Sequence, residues 1–376
     1  MASVDALGSV LVLGGCGFLG HHIIQKLLDA DDVSQITALD LNVDSYQRKG
    51  ARYIVGNITS REDIMKVLEE AKPRVIFHAI SPQALGGTRK LFNEVNVEGT
   101  RTLLKCIQEV GFVKALVYTS SSSVIHDNRG DLAGVTEDLP LLFLPQQTEY
   151  YSHTKALAEE MILKANDSGG SGLRTCAIRP AGMFGEGDRT TTGNTIGAAK
   201  EGKNKIQIGD NTKLFDWTYV GNNADAQLLA ARALLRSHAA RGPQPADRKV
   251  DGEAFVITND EPWPFWDFTR AVGAAAGYPI KKEDVYVIPA GVMWVLVAIT
   301  ECLYWCFTLG TKQPRFTRMK IKYMTIHRYF DISKAKTRLG YKPRVSMEDG
   351  IERTAKWYLN ISREEKERSE AFRKLV

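Results

Sequence analysis

Short apolar, β-branched runs alternate with longer stretches of helical period through the first half of the chain. The runs at 10–13, 36–39, 53–55, 75–77, 115–119 and 175–178 read as buried strands, and the segments 17–29, 61–71, 94–110 and 151–165 read as helices. This rhythm predicts an α/β fold with a doubly wound parallel sheet of Rossmann type. After Pro180 the pattern loosens. A Gly- and Thr-rich loop at 185–194, a polar loop at 236–252 with Pro243 and Pro245, and a Trp/Pro stretch at 262–266 interrupt the elements. We therefore read 1–180 as a nucleotide-binding core and 181–376 as a smaller substrate-binding region interleaved with the last sheet elements. The charged end at 363–374 reads as a solvated helix.

Directly after the first strand stands Gly14-Gly15-Cys16-Gly17-Phe18-Leu19-Gly20, followed by an apolar helical pattern. Closely spaced glycines let the backbone turn sharply and approach a pyrophosphate, whose charge is met by the free N–H groups and positive end of the helix. Glycines also collect in ordinary turns. Asp40 sharpens the reading, because it lies twenty residues past Gly20 at the end of the second strand, where a carboxylate accepts ribose hydroxyls. It also repels a 2′-phosphate and no arginine follows it at once, so NAD is favoured over NADP. Asn57-Ile58, after the third strand, either brackets the adenine or forms a turn.

Tyr151-Ser152-His153-Thr154-Lys155 sets a phenol and an ammonium four residues apart, on one helix face. A free tyrosine, with a pKa of about 10, is a poor base at neutral pH, and an adjacent cation stabilises its phenolate. The same lysine is placed to hold a nicotinamide ribose. The serine run from Thr119 to Ser123, at the end of the fifth strand, offers hydroxyls to a substrate oxygen at the edge where doubly wound sheets bind ligands. His153 points away from the Tyr/Lys face, and His78 shapes the cofactor pocket rather than reacting. Each piece has a structural alternative in a chance helix spacing or a helix cap; their order along one chain favours catalysis.

The 376 residues are 44% hydrophobic and 25% charged, ample for a packed core. Lys and Arg total 49 against 44 Asp and Glu, a net charge of +5 that is spread along the chain and forms no nucleic-acid-binding arm. Five cysteines, none in a Cys-x-x-Cys pair, argue against a disulfide framework or a zinc site and for a reducing compartment. The first residues carry no signal-peptide pattern, so the catalytic part is expected in the cytosol.

Through the glycine loop, Asp40, the Thr119–Val124 serine strand and Tyr151-x-x-x-Lys155, the sequence resembles the extended short-chain dehydrogenase/reductases. The segments Phe215–Ala226, Gly252–Phe268 and 329–343 narrow the resemblance to the 3β-hydroxysteroid dehydrogenase family, most closely to its decarboxylating sterol-4α-carboxylate 3-dehydrogenase branch. The resemblance implies Tyr151 as base, Lys155 as its partner and Ser121, three before Val124, as the catalytic serine, with Ser122 second. It implies NAD held by Gly14, Gly17, Phe18, Leu19, Gly20, Asp40, Asn57, Ile58, Ala79, Ser81, Tyr151, Lys155 and Pro180. The implied reaction oxidises the 3β-hydroxyl of a sterol or triterpenoid 4α-carboxylate and releases carbon dioxide, with Arg189 and Lys213 as candidate partners for the carboxylate. The alternatives are a 3β-hydroxysteroid dehydrogenase/isomerase, a sugar-nucleotide epimerase, a paralogue acting on a fusidane-type triterpenoid in fungal secondary metabolism, and a non-enzymatic NAD-sensing protein. Asn57 departs from the family, which usually has Asp there.

Between Ala290 and Leu309 the one charged residue is Glu301, and the length approaches the ~20 residues of a bilayer span. Trp294, Tyr304 and Trp305, followed by Lys312, Arg315, Arg318, Lys320 and Lys322, suit a membrane interface. The segment 289–310 is thus an interfacial helix, a buried pocket lid or a span. The first agrees best with a chain whose later elements must pack back on the fold, and it places the protein on the cytosolic face of the endoplasmic reticulum. The implied partners are a sterol C-4 demethylase complex and a second copy of the chain.

Overall fold

The computed structural model describes residues 3–84, 87–167, 172–240, 244–309, 314 and 317–373, with side chains described to residue 361. Pro243, Gly310, Lys312 and Arg315 lie outside the described residues. Each apolar run of the first half is a strand: β1 (Gly8–Leu13), β2 (Val33–Asp40), β3 (Arg52–Val55), β4 (Val75–His78), β5 (Ala115–Thr119) and β6 (Arg174–Pro180). Glu253–Ile257 adds β7 from the second half. The seven lie in the order β7-β6-β5-β4-β1-β2-β3, all parallel. Helices cover both faces, so the central strands are buried on both sides and read as continuous apolar runs rather than alternating ones.

The helices keep close to their expected bounds. They are α1 (Gly20–Leu28), α2 (Arg61–Ala71), α3 (Thr100–Val110) and α4 (Tyr150–Lys164). The segment before α3, Asn93–Gly99, is a π-helix. Two expected loops are shorter than the sequence suggested. Asp188 accepts the backbone N–H groups of Thr190, Thr191 and Thr192, and a helix starts at Thr191 inside the Gly/Thr stretch. Helix α5 (Val220–Ala240), whose buried face lies on β5 and β6, runs into the polar loop. Beyond the main sheet, the strands Trp263–Pro264, Leu214–Phe215, Arg328–Phe330 and Leu132–Val135 form a small sheet in that order. Phe215 of this sheet lies 4.7 Å from Trp217, which is itself stacked on Phe268 at 3.8 Å.

The strand order reverses between β1 and β4, which opens a crevice at their C-terminal ends. The glycine loop leaves β1 there and passes into α1. Gly14 has φ +84°, and a Cβ on it would stand 3.0 Å from the Ile80 nitrogen at the end of β4. A Cβ on Gly20 would lie 1.9 Å from the Gly14 carbonyl oxygen, so α1 can rise from the loop at this angle only without a side chain there. Gly20→Ala is therefore expected to cost at least about 2 kcal/mol in denaturant unfolding. Gly197→Ala, in the helix Thr191–Lys200 with nothing near its Cβ, should instead gain about 0.5 kcal/mol.

Candidate active site

Asp40, the last residue of β2, turns its carboxylate back to the glycine loop. Its Oδ2 accepts the Cys16 N–H at 3.0 Å and its Oδ1 the Leu41 N–H at 2.8 Å. Burial and the Asp40 charge push the Cys16 thiol up to about 11, so it stays protonated. Phe18 is half-buried beside the loop after residue 184, where a Cβ on Gly187 would meet the His21 ring at 2.8 Å. Leu19 is buried in the core. The loop, the helix start and the carboxylate thus converge on one end of the crevice, and small residues leave the space a pyrophosphate and ribose need.

On the other side of β1, Ala79 donates its N–H to the Leu13 carbonyl at 2.9 Å, and the Ser81 hydroxyl donates to the Pro82 carbonyl at 3.2 Å. Ser81 lies near enough to the Tyr151 phenol to pull its pKa down. Pro180 ends β6 at the same edge, paired in register with Ile257. Asn57 and Ile58 lie in the turn that follows β3: Asn57 Oδ1 accepts the Thr59 N–H at 3.0 Å, and Ile58 is 2% exposed, packed where a Cβ on Gly99 would touch it.

Tyr151 lies in the first turn of α4, edge-on to Phe92 at 5.5 Å. Lys155, one turn on, is 2% exposed; its Nζ donates to the Thr119 carbonyl at 2.5 Å and lies 4.3 Å from the centre of the Tyr118 ring. Burial pushes this amine down to about 7, with the Glu159 carboxylate working against that shift. The phenol of Tyr151 is raised by burial, with Ser81 working against that shift.

Ser121 caps the short 3₁₀ turn Ser122–Ile125 and shares a hydrogen bond of 2.8 Å with the Ser123 hydroxyl, which also accepts from Ser152 at 2.8 Å. This hydroxyl chain ties Ser121 to the residue next to Tyr151. Ser122 is buried. His153 accepts the Leu144 N–H at 3.3 Å among Phe143 and Tyr150, off the Tyr151/Lys155 face. His78 is buried, bonded to the Thr100 hydroxyl at 3.1 Å, and pushed down to about 3 by desolvation, so it is neutral at working pH. Lys213 is ion-paired to Asp131 at 3.1 Å on the rim of a cavity of about 410 Å³ lined by Ile208, Val287, Pro289 and Met324. Arg189 follows the Asp188 that caps the helix at Thr191.

Sequence reasoning missed two buried amides. Asn96, in the π-helical segment, donates to the Thr154 hydroxyl at 3.0 Å, and Gln227 of α5 donates to the Thr119 hydroxyl at 3.0 Å. Both brace the strand end and helix that carry the site, and both come from far along the chain, where no local spacing marks them.

With that geometry in hand, the comparisons decide the family. The 3-beta hydroxysteroid dehydrogenase/isomerase family profile matches residues 11–287. The chain belongs to this family. It is 38% identical over 371 residues, covering 95% of this chain and 99% of the relative, to the decarboxylating sterol-4-alpha-carboxylate 3-dehydrogenase of Saccharomyces cerevisiae. It is 35% identical over 356 residues, 94% of this chain and 88% of the relative, to the Homo sapiens protein of the same description. It is 34% identical over 374 residues, 96% and 82%, to a 3beta-hydroxysteroid-dehydrogenase/decarboxylase of Arabidopsis thaliana. Among solved structures it superposes with a dTDP-glucose 4,6-dehydratase of Bacillus anthracis in complex with NAD (TM-score 0.66, 19% identity, 94% of this chain and 97% of that one). It also superposes with a UDP-glucose 4-epimerase of Thermotoga maritima (TM-score 0.67, 18% identity, 94% and 99%). These two share the Rossmann-type extended short-chain dehydrogenase fold.

The lowered pKa of Lys155 has a consequence for stability. Between about pH 7 and the ordinary lysine range, the unfolded chain binds a proton that the folded chain does not, so this residue makes stability rise with pH across that window. The expected slope is up to about 1.4 kcal/mol per pH unit, and Lys155→Met should remove it in unfolding curves taken from pH 7 to 10.

Proposed function

We propose that this chain oxidises the 3β-hydroxyl of a sterol or triterpenoid 4α-carboxylate with NAD, and that the resulting ketone loses carbon dioxide. The observation that carries this reading is the meeting of α4, which bears Tyr151 and Lys155, with the end of β5, where Lys155 donates to the Thr119 carbonyl and Ser152 is linked through Ser123 to Ser121, in a chain alike over nearly its whole length to decarboxylating 3-dehydrogenases. The residues fit a dinucleotide: Gly14, Gly17 and Gly20 leave a cradle that a Cβ would fill, and Asp40 stands beside it as a hydroxyl acceptor whose charge disfavours a 2′-phosphate. Gly14, Gly17, Phe18, Leu19, Gly20 and Asp40 would hold its adenosine and pyrophosphate end, and Ala79, Ser81, Tyr151, Lys155 and Pro180 its nicotinamide end. When bound, NAD supplies the hydride acceptor.

Tyr151 takes the proton of the 3β-hydroxyl through its phenolic oxygen. Ser121 donates a hydrogen bond to the developing carbonyl oxygen. Lys155, one helical turn from Tyr151, is the cation that would favour its phenolate. The product of a 4α-carboxylated substrate is a β-keto acid, which loses carbon dioxide through its enol. Tyr151→Phe should lower turnover at least about 100-fold while NAD affinity, read by fluorescence titration, changes less than about threefold. Turnover that survives this change would exclude Tyr151 as the base.

The helix α6 (Ala290–Thr308) supports delivery of such a substrate from a membrane surface. Along it only Val297 is buried, whereas Trp305 is 64% and Phe307 85% exposed, so it does not pack as a lid. Its one acid, Glu301, is paired at 2.5 Å with Arg318, which begins α7 (Arg318–Met324) and lies 5.4 Å from the Trp294 ring. An exposed apolar helix with its sole charge neutralised suits the interface, here the cytosolic face of the endoplasmic reticulum. Replacing both Trp305 and Phe307 by Glu should cut co-flotation with phospholipid vesicles at least about tenfold, while activity on detergent-dispersed sterol persists. Unchanged flotation would remove the helix from membrane contact.

A further inference from the structure

A row of alternating buried charges runs under the site, beginning at Lys155. Glu159, one turn further along α4 and wholly buried, receives the Arg179 guanidinium through Nη2 at 2.5 Å and Nε at 3.0 and 3.1 Å. Arg179 lies on β6, is 4% exposed, and its Nη1 donates to the Glu137 carbonyl at 3.4 Å. Glu137 in turn accepts the Val256 N–H of β7 at 2.6 Å and is raised by burial. The second oxygen of Glu159 accepts the Ser120 hydroxyl at 2.5 Å. Ser120 sits between Thr119, whose carbonyl holds Lys155, and Ser121, and its own N–H donates to the Ile178 carbonyl at 2.7 Å. One carboxylate therefore touches the strand end that presents the catalytic serine, stands one turn from the catalytic lysine, and is anchored to the neighbouring strand.

An ion pair buried this deeply is a poor source of stability, because desolvating both charges costs about as much as their attraction returns. Its geometry points to another use. We infer that Glu159 is a positioning residue of the reaction, which fixes Ser121 against Tyr151 through Ser120 and keeps Lys155 charged in its buried setting. This rests on the reading of Tyr151, Lys155 and Ser121 given above. The groups that face Lys155 are Tyr118 on β5, His78 on β4, and Tyr151 and Glu159 on its own helix; Arg179 and Glu137 face it through Glu159. Of the two carboxylates, Glu159 is the one next to the ammonium along the helix. His78 is neutral and Tyr118 is raised well above the ordinary phenol range by burial, so neither supplies a negative charge at neutral pH. Desolvation alone would drive the amine further toward its neutral form.

The test follows lysine ionisation directly in the full chain labelled with ¹³C at lysine Cε, without substrate or NAD. Wild type should show one lysine titrating near 7, absent from Lys155→Met. In Glu159→Gln its midpoint should fall by at least about half a pH unit, and in Ser120→Ala it should stay put while kcat drops about tenfold and the KM for NAD holds. If Glu159→Gln does not fold because Arg179 is left unpaired, the double variant Glu159→Gln/Arg179→Met removes both charges and should still lower the midpoint. A midpoint that fails to move in whichever of these folds overturns the assignment. The titration does not depend on the substrate reading, so a wild type that lacks dehydrogenase activity but shows the shift would sink that reading and leave the electrostatic role of Glu159 standing.

Discussion

The bond from the Lys155 ammonium to the Thr119 carbonyl is the constraint around which the site is built. A lysine buried to 2% exposure must find both an oxygen and a counter-charge: the oxygen comes from β5, which meets α4 only if the sheet is wound as it is, and the charge from Glu159 one turn along α4 itself. Thr119 ends β5, α4 crosses above it, and Glu159 carries the charge across to β6. Shifting α4 by a residue would remove the lysine from the carbonyl and the tyrosine from Ser81 together. Gln227 and Asn96 brace the same joint from two other helical segments, so five elements fix the position of one amine.

The crevice depends on a second close fit. Gly20 packs against the Gly14 carbonyl and Gly14 against the Ala79–Ile80 backbone, so neither admits a side chain, and the reversal of strand order brings the segment after β4 against the loop. The chemistry then needs little else from the protein: an oxygen to take a proton, a hydroxyl to hold the carbonyl, and a way for an apolar substrate to arrive.

Much of this was legible in the chain itself. Parallel strands buried on both faces leave continuous apolar runs, which is why six of the seven main-sheet strands could be read directly. The seventh, Glu253–Ile257, has the same apolar character but follows a long polar stretch that hides its place in the sheet. The Gly loop with Asp40, and Tyr151 with Lys155, were visible because their geometry is local: a turn, a strand end, one turn of helix. Glu159 continued that helix face at the next turn and carried a signal that went unread. Gln227 had none, since its partner Thr119 lies 108 residues away. The helix start at Thr191 was hidden because an Asp that caps three amides looks, in sequence, like any loop aspartate. Ionisation was the least legible property: spacing places Tyr151 and Lys155 on one helix face, but the burial that raises the phenol and lowers the amine comes from the whole fold.

One centre both removes hydrogen from C3 and generates the β-keto acid that sheds its carboxyl group. This is tested most directly by giving the purified chain NAD and a 4α-carboxysterol carrying tritium at C3 and ¹⁴C in the carboxyl group. At complete conversion, tritium is expected in the reduced nucleotide and ¹⁴C in released carbon dioxide in matching fractions of the label supplied. Tritium transfer without matching release of carbon dioxide, or release without transfer, would contradict it.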